Sequence, residues 1–166
     1  KEYPIGYFHI DIAEVHTEQG RLYLFVAIDR TSKFAFTELH DKSTSKIAAN
    51  FVHNLVSTVP YKINTILTDN GMQFTDLSNF RKSVQDRPEL DNPYGLILYH
   101  PFDYACEKEN IEHRQTKVRH PWTNGQVERM NGTIKNATVN KYYYQSHDEL
   151  KAHLHAFMMA YNFAKR

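Results

Sequence analysis

The feature that most constrains the fold is a change in the spacing of apolar residues near residue 45. Ahead of it, residues 6–15 and 20–29 form two apolar runs of strand length around a polar turn, and residues 33–39 form a third. Short turns between such runs predict an antiparallel meander of three strands. Beyond it, helical spacing ahead of a proline predicts a helix that carries Ile47, Phe51, Val52, Leu55, Val56 and Val59.

The remainder of the chain alternates short strands with helices. Residues 63–68 form a fourth strand, and because a helix precedes it, the strand is expected to lie parallel to its partner. The pattern then predicts a short helix over 102–109, a strand over 111–117, a long helix over about 124–144 and a last helix from about 147. The whole predicts an α/β fold, in which helices flank a five-stranded mixed sheet.

We expect residues 1–166 to form a single domain, with an insertion of uncertain structure at about 76–100. The length is that of one domain, and 41% hydrophobic residues are enough for a core. A single cysteine, Cys106, excludes internal disulfides and a zinc site built on paired cysteines. No apolar run approaches the length of a membrane span. A cytoplasmic domain without a membrane partner is therefore expected.

Acidic residues stand at three places where they can do chemistry. Asp11 lies within an otherwise apolar strand, where a charge is costly unless it is paired or binds a metal. Asp69 follows the fourth strand, and Glu128 lies in the first turn of the long helix. If the first and fourth strands are neighbours, these carboxylates converge and repel one another. Two Mg²⁺ or Mn²⁺ ions about 4 Å apart would relieve that repulsion and suit in-line displacement at phosphorus.

Each acid also has a simpler explanation. Asp69 opens an Asp-Asn-Gly turn signal, Asp11 could be a buried acid satisfied by His9, and Glu128 could merely favour a helix N-terminus. Asp29, at the end of the second strand, competes with Asp11 for the first position. We prefer Asp11, because Asp29 precedes Arg-Thr-Ser and has the pattern of a strand-end cap. The joint placement of the three acids carries the prediction.

Positive charge is concentrated in one stretch of the chain. Residues 111–146 hold six basic and two acidic residues, although the whole chain has a net charge of only +1. Such a stretch is either a solvated surface or a phosphate-binding face. Glu128, Asn131 and Lys135 are expected to share one exposed helix edge, which suits a nucleic-acid backbone. The candidate DNA contacts are Lys117, Arg119, Asn124, Arg129, Asn131 and Lys135.

Three segments together resemble a known family. They are residues 68–74 (TDNGMQF), residues 106–114 (CEKENIEHR) and residues 120–135 (HPWTNGQVERMNGTIK). They resemble the catalytic core shared by retroviral integrases and bacterial insertion-sequence transposases, and the resemblance covers the chain except for about 76–100. It implies a ribonuclease-H-like fold with a D-D-E metal triad of Asp11, Asp69 and Glu128 that holds two Mg²⁺ ions.

The resemblance also implies an activity and its partners. Lys135 would contact a terminal phosphate, and Asn124 would lie in a loop beside the active site. The chain would be a transposase core from a bacterial mobile element, which cuts DNA, joins a 3′-OH to target DNA and works as a homo-oligomer on transposon ends. The alternatives are a nuclease of the same fold that only hydrolyses, and a non-catalytic DNA-binding module. The interval of 58 residues between Asp69 and Glu128 is longer than in the best-known members, and the insertion accounts for the difference.

Overall fold

The computed structural model describes residues 2–75, 100–117 and 124–164. Within them, one mixed sheet has the strand order β3-β2-β1-β4-β5, which confirms the predicted sheet. The strands are β1 (Tyr7–Thr17), β2 (Gly20–Asp29), β3 (Ala35–His40), β4 (Thr65–Thr68) and β5 (Glu112–Gln115). The helices are α1 (Ser45–Thr58), α2 (Met72–Thr75), α3 (Pro101–Lys108), α4 (Gly125–Ala137) and α5 (His147–Phe163).

The strand directions follow from the connections. A two-residue turn at Glu18 and Gln19 joins β1 to β2, and Gly20 adopts a φ of +117°, which side chains other than glycine rarely tolerate. β2 is therefore antiparallel to β1, and β3 is antiparallel to β2. Because α1 crosses over the sheet, β4 lies parallel to β1, as predicted, and β5 is parallel to β4.

Apolar side chains cover both faces of the sheet. On one face, Phe8, Ile10 and Phe25 pack in a cluster with Phe51 of α1 and Phe102 of α3. On the other face, the buried cluster combines strand residues with side chains of α4 and α5: Val15, Leu22, Leu24, Val26, Ile28, Val127, Met130, Ile134, Leu150, Leu154 and Met158. Because neighbouring residues of a strand point to opposite faces, residues 9 and 11 of β1 belong to the face that α4 covers.

The prediction that the long helix reaches about residue 144 is wrong, because α4 ends at Ala137. The hydroxyl of Thr138 donates a hydrogen bond of 2.7 Å to the carbonyl of Ile134, a local bond that competes with helix continuation. The chain then turns, and Tyr144 returns to the sheet, where its carbonyl accepts a hydrogen bond of 2.9 Å from the backbone nitrogen of Glu18. The early end of α4 therefore anchors the following segment to the β1–β2 turn.

The predictions for the fifth strand, the insertion and membrane spans have separate outcomes. The predicted fifth strand is shorter than expected and spans Glu112–Gln115. Nearly all of the insertion at 76–100 lies outside the described residues. The Gln126 amide donates to the carbonyl of Arg30 at 3.4 Å. None of the helices in the described part of the chain has the length and apolar character that crossing a membrane requires.

Asn162 attaches the last helix to the edge strand β3. Its Oδ1 accepts a hydrogen bond of 3.0 Å from the backbone nitrogen of Ala35, and its Nδ2 donates one of 2.8 Å to the carbonyl of Ala35. Because Ala35 is buried, Asn162→Ala should lower the free energy of unfolding by about 1–3 kcal/mol, measured by urea denaturation. Asn140→Ala removes a surface amide that donates to Asn136 and should cost less than about 0.5 kcal/mol. Equal losses in the two variants would contradict the anchoring role.

Candidate active site

Asp11 lies at the centre of the sheet. It occupies the middle of β1, the strand between β2 and β4, and it is partly buried. Its Oδ2 accepts a hydrogen bond of 2.7 Å from Asn131 Nδ2. This bond joins the central strand directly to α4, so the helix holds the carboxylate in a defined orientation.

The strand register places Asp69 next to Asp11. In the parallel pairing of β1 with β4, Phe8 lies opposite Ile66 and His9 lies opposite Leu67. Continuing this register by two residues brings Asp69 beside Asp11, directly after the end of β4. The predicted turn is also present, because Asp69 Oδ1 accepts a hydrogen bond of 2.8 Å from the backbone nitrogen of Gly71. Asp69 therefore has a structural role and a position that suits chemistry.

Glu128 reaches the site from α4. It lies in the first turn of that helix, and its side chain is exposed. Asn131, which bonds to Asp11, follows it by three residues, so the two project from nearly the same side of the helix. Glu128 is thus the most exposed of the three acids. It is also the only one of the three that lies on a helix, since Asp11 lies on β1 and Asp69 directly follows β4.

Electrostatics links the three carboxylates. Burial raises the pKa of Asp11, and the negative charges of Asp69 and Glu128 raise it further, while hydrogen bonds from the backbone of Ile12 and from Asn131 act in the opposite direction. Within residues 2–75, 100–117 and 124–164, however, no three acidic, histidine or cysteine side chains are close enough to make a ready-formed metal cluster. Three like charges repel one another, so a cation is what would draw them into one coordination shell.

Ser43 and Asn131 bring polar atoms without a hydrogen-bond partner to the neighbourhood of the carboxylates. Ser43 lines a pocket of about 270 Å³ together with Asp11, Asp69 and Gln73. In the described part of the chain, the buried side-chain polar atoms without a hydrogen-bond partner are His9 Nδ1, Ser43 Oγ, Asn124 Oδ1 and Asn131 Oδ1. Such atoms are rare in native proteins and mark places that water, an ion or a ligand completes. Carboxylate, amide and hydroxyl oxygens are the donor set that Mg²⁺ and Mn²⁺ prefer, so these residues fit such an ion.

His9 is not the partner of Asp11. The hydrogen bond that Asp11 Oδ2 accepts comes from Asn131, and His9 Nδ1 has no partner among the described residues. Burial, together with the nearby positive charge of Arg30, lowers the pKa of His9 to about 4. His9 is therefore neutral near pH 7 and offers no positive charge to balance the carboxylate.

Asp29 is a strand-end cap, as predicted. It is completely buried at the end of β2. Its carboxylate accepts hydrogen bonds from the backbone nitrogens of Gly6 at 2.7 Å, Thr31 at 2.7 Å and Ser32 at 3.1 Å. Because backbone donors occupy both of its oxygens, Asp29 has a structural role, and Asp11 remains the acid on the central strand that is available for chemistry.

The expected DNA contacts occupy different environments. Lys117 and Arg129 are exposed, and Lys135 is partly exposed near the end of α4. Asn124 is the N-cap residue directly before α4, and it is partly buried. Arg119 lies outside the described residues. Binding of DNA by these residues stays a prediction.

Asn131 was expected on an exposed edge of the helix, but the structure shows that it is buried. Only 8% of its surface is exposed, and its amide is engaged with Asp11. The sequence contained the signal, because Asn131 follows Val127 by four residues and precedes Ile134 by three, which places it beside the buried stripe of the helix. A polar residue in such a stripe needs a buried partner, and Asp11 is that partner.

Comparison with known families identifies the domain. A model described as an integrase core domain matches residues 2–121, and a second model with the same description matches residues 109–166. The chain belongs to the integrase core domain family. This confirms the resemblance that the sequence motifs indicated, and it supports polynucleotidyl transfer in general terms.

Solved integrases share the fold of this integrase core. A chain of the simian T-cell lymphotropic virus intasome, in complex with PP2A regulatory subunit B56 gamma, is 20% identical with a TM-score of 0.70 over 96% of this chain and 49% of that one. The HTLV-2 integrase catalytic core with magnesium, in its dimeric form, is 22% identical, with a TM-score of 0.66 over 95% of this chain and 86% of that one. The catalytic core of BIV integrase is 17% identical, with a TM-score of 0.64 over 97% of this chain and 85% of that one. These structures confirm the ribonuclease-H-like fold.

A curated relative comes from an animal. An uncharacterized protein of Caenorhabditis elegans is 27% identical over 134 residues, which make up 81% of this chain and 8% of the relative. The chain thus spans less than a tenth of that relative and about half of the intasome chain. The bacterial origin expected from the sequence motifs stays a prediction.

The raised pKa of Asp11 predicts a measurable cost of its charge. Because the native state binds this proton more tightly than the unfolded chain does, ionisation of Asp11 lowers stability as the pH rises. In metal-free buffer near pH 7, Asp11→Asn should therefore increase the free energy of unfolding in urea. The gain should shrink as the pH falls through the raised pKa and disappear below the ordinary value of 3.8.

The matched control is Glu14→Gln, which neutralises an exposed acid on the same strand that pairs with Arg21 at 3.4 Å. It should change the free energy of unfolding by less than about 0.5 kcal/mol. An Asp11→Asn protein that is less stable than wild type near pH 7 would contradict an electrostatic cost at this site.

Proposed function

We propose that this integrase core is the catalytic domain of a transposase, which cuts DNA strands and joins a 3′-OH end to target DNA. The observation that carries the proposal is the environment of Asp11. It lies on the central strand, feels the charges of Asp69 and Glu128, and is oriented by Asn131. A fold that needed only stability would gain nothing from three mutually repelling carboxylates.

Asp11, Asp69 and Glu128 would hold Mg²⁺ or Mn²⁺, with two ions per active site when DNA is bound. When bound, such ions neutralise charge on the phosphate and lower the pKa of coordinated water. The unpaired oxygens of Ser43 and Asn131 support this assignment from the protein side. The HTLV-2 integrase core, a neighbour of the same fold, is described with magnesium.

The protein's own side chains prepare the site. Asn131 donates to Asp11 Oδ2 and so fixes one carboxylate before substrate arrives. The backbone nitrogen of Gly71 does the same for Asp69 Oδ1. Glu128 is exposed and less constrained, which suits an acid that completes its contacts when DNA binds. Such preorganisation lowers the cost of ordering the site during reaction.

DNA is the proposed partner, as transposon ends and target. Lys117, Asn124, Arg129 and Lys135 are the described residues proposed to contact it, Arg119 is the contact proposed outside them, and Asn131 acts through Asp11. We also propose that the active complex is a homo-oligomer, since the neighbouring structures are dimeric and trimeric integrase cores and an intasome. A bacterial mobile element and a cytoplasmic, nucleoid-associated location belong to the same proposal.

Joining of DNA tests the proposed reaction. A 3′-OH oligonucleotide with the end sequence of the source element is incubated with supercoiled plasmid and Mn²⁺, and joined and merely cut products are separated on gels. Asp11→Asn, Asp69→Asn and Glu128→Gln should each lower joining by at least about 100-fold, since a lost metal ligand costs more than a lost outer-shell partner. Glu107→Gln, which neutralises an exposed acid of α3, should keep the wild-type rate.

Other outcomes would identify the alternatives. Plasmid cutting without joining would indicate a nuclease that only hydrolyses. Absence of carboxylate-dependent Mn²⁺ binding in calorimetry would indicate a non-catalytic DNA-binding module.

Lys135 provides a separate test of the DNA interface. Lys135→Gln should weaken binding to DNA of any sequence, and the slope of log Kd against log salt should fall by about 1, as expected for one lost phosphate contact. Fluorescence anisotropy at several salt concentrations measures both quantities. Lys151→Gln, an exposed lysine of α5, serves as the charge-matched control and should leave the slope unchanged. The same change in both variants would contradict a specific contact at Lys135.

A further inference from the structure

A chain of hydrogen bonds runs from the protein surface to Asp69. Asp103 Oδ1 of α3 lies 2.5 Å from His113 Nδ1 of β5. His113 Nε2 lies 2.8 Å from Thr68 Oγ1, and that hydroxyl donates a hydrogen bond of 3.0 Å to the carbonyl of Asp69. We call Asp103, His113 and Thr68 the relay. It connects α3, β5 and β4, which are three separate elements.

The order of groups in the relay, carboxylate, imidazole and hydroxyl, is that of a hydrolase triad, but its geometry excludes that chemistry. Thr68 is completely buried, so no substrate can reach its oxygen. Its only proton is used on the carbonyl of Asp69. The relay therefore acts on the protein itself.

The hydrogen-bond directions show what the relay does. Since the Thr68 hydroxyl donates to Asp69, its oxygen must accept the bond from His113 Nε2. The Asp103 carboxylate accepts, so His113 Nδ1 donates to it; because both ring nitrogens then donate, these directions require an imidazole that carries two protons and forms an ion pair with Asp103. Each group thus orients the next, with only 6% of the His113 side chain and 40% of the Asp103 side chain exposed. The ring of Phe102 lies edge-on against the imidazole, with centroids 4.8 Å apart, and restricts its rotation.

We propose that Thr68, His113 and Asp103 are positioning residues that fix the peptide following Asp69 and thereby orient its carboxylate for divalent metal. Further contacts hold the same turn: Asn70 Nδ2 donates to the carbonyl of Thr116 at 3.1 Å, and Gly71 N donates to Asp69 Oδ1. With the carbonyl and one carboxylate oxygen of Asp69 fixed, little freedom is left to the second carboxylate oxygen. This inference rests on the proposed function, because it assigns a metal-holding role to Asp69.

Isosteric variants of Thr68 test the relay. Thr68→Val removes the hydroxyl and keeps the β-branched shape that suits a buried strand end. Mn²⁺ binding is measured by calorimetry, and kcat and KM are measured in the joining assay. Thr68→Val should lower Mn²⁺ affinity and kcat by about 10-fold or more, as outer-shell losses do, with little change in KM for DNA. Thr68→Ser restores the hydroxyl and should recover most of both quantities.

Two variants on the surface of α3 test the relay without changing a buried residue. Asp103→Ala breaks the far end of the relay, and Glu107→Ala removes one negative charge from the same helix without touching the relay. Asp103→Ala should weaken Mn²⁺ binding severalfold, whereas Glu107→Ala should leave it at the wild-type value. Circular dichroism and thermal melting verify that each variant is folded.

The outcomes separate the two proposals. If wild type binds Mn²⁺, Asp69→Asn abolishes that binding, and Thr68→Val still matches Thr68→Ser in affinity and kcat, the relay proposal is overturned and the proposed function stands. If Thr68→Val does not fold, Asp103→Ala with wild-type Mn²⁺ affinity overturns the relay proposal. If wild type shows no Mn²⁺ binding that depends on Asp69, both proposals are overturned.

Discussion

A carboxylate in the middle of the central strand is the constraint on which the rest of this structure depends. Asp11 lies on the central strand, is paired with β2 and contacts α4 through Asn131, so its charge is partly removed from water. Hydrogen bonds from the backbone of Ile12 and from the Asn131 amide favour the charged carboxylate, but burial and the charges of two other acids outweigh them and raise its pKa. A protein retains such a cost where the group has a task, and here a divalent cation would turn repulsion into binding energy.

Elements on opposite faces of the sheet contact different acids of the site. From the α4 face, Asn131 holds Asp11. On the side of α3 and β5, Asp103 and His113 reach Asp69 through Thr68. Strand-borne acids are therefore supported from rigid, packed elements, which is how sites are held to within fractions of an ångström. The third acid of the site lies on an exposed helix turn and has more freedom.

Much of this arrangement could be predicted, because it depends on local signals. The apolar runs and the turn before Gly20 predicted β1 and β2, and the crossover through α1 predicted a parallel β4, from which the meeting of Asp11 and Asp69 follows. The length of α4 and the place of Asn131 were predicted incorrectly. Both depend on contacts between distant segments: the segment after α4 returns to the turn at Glu18, and Asn131 is buried against Asp11.

The sequence by itself determined the order of the strands and of every described helix except the four-residue α2, and also the family and the candidate acids, because hydrophobic period, turn residues and motifs are properties of short segments. The tertiary structure alone decided which groups touch. It shows that backbone donors occupy the Asp29 carboxylate, which leaves Asp11 as the acid available for chemistry. It also places His113 in contact with Thr68, although 45 positions of sequence lie between them. Such choices depend on register and on helix rotation, and a shift of one residue in either would exchange buried for exposed positions.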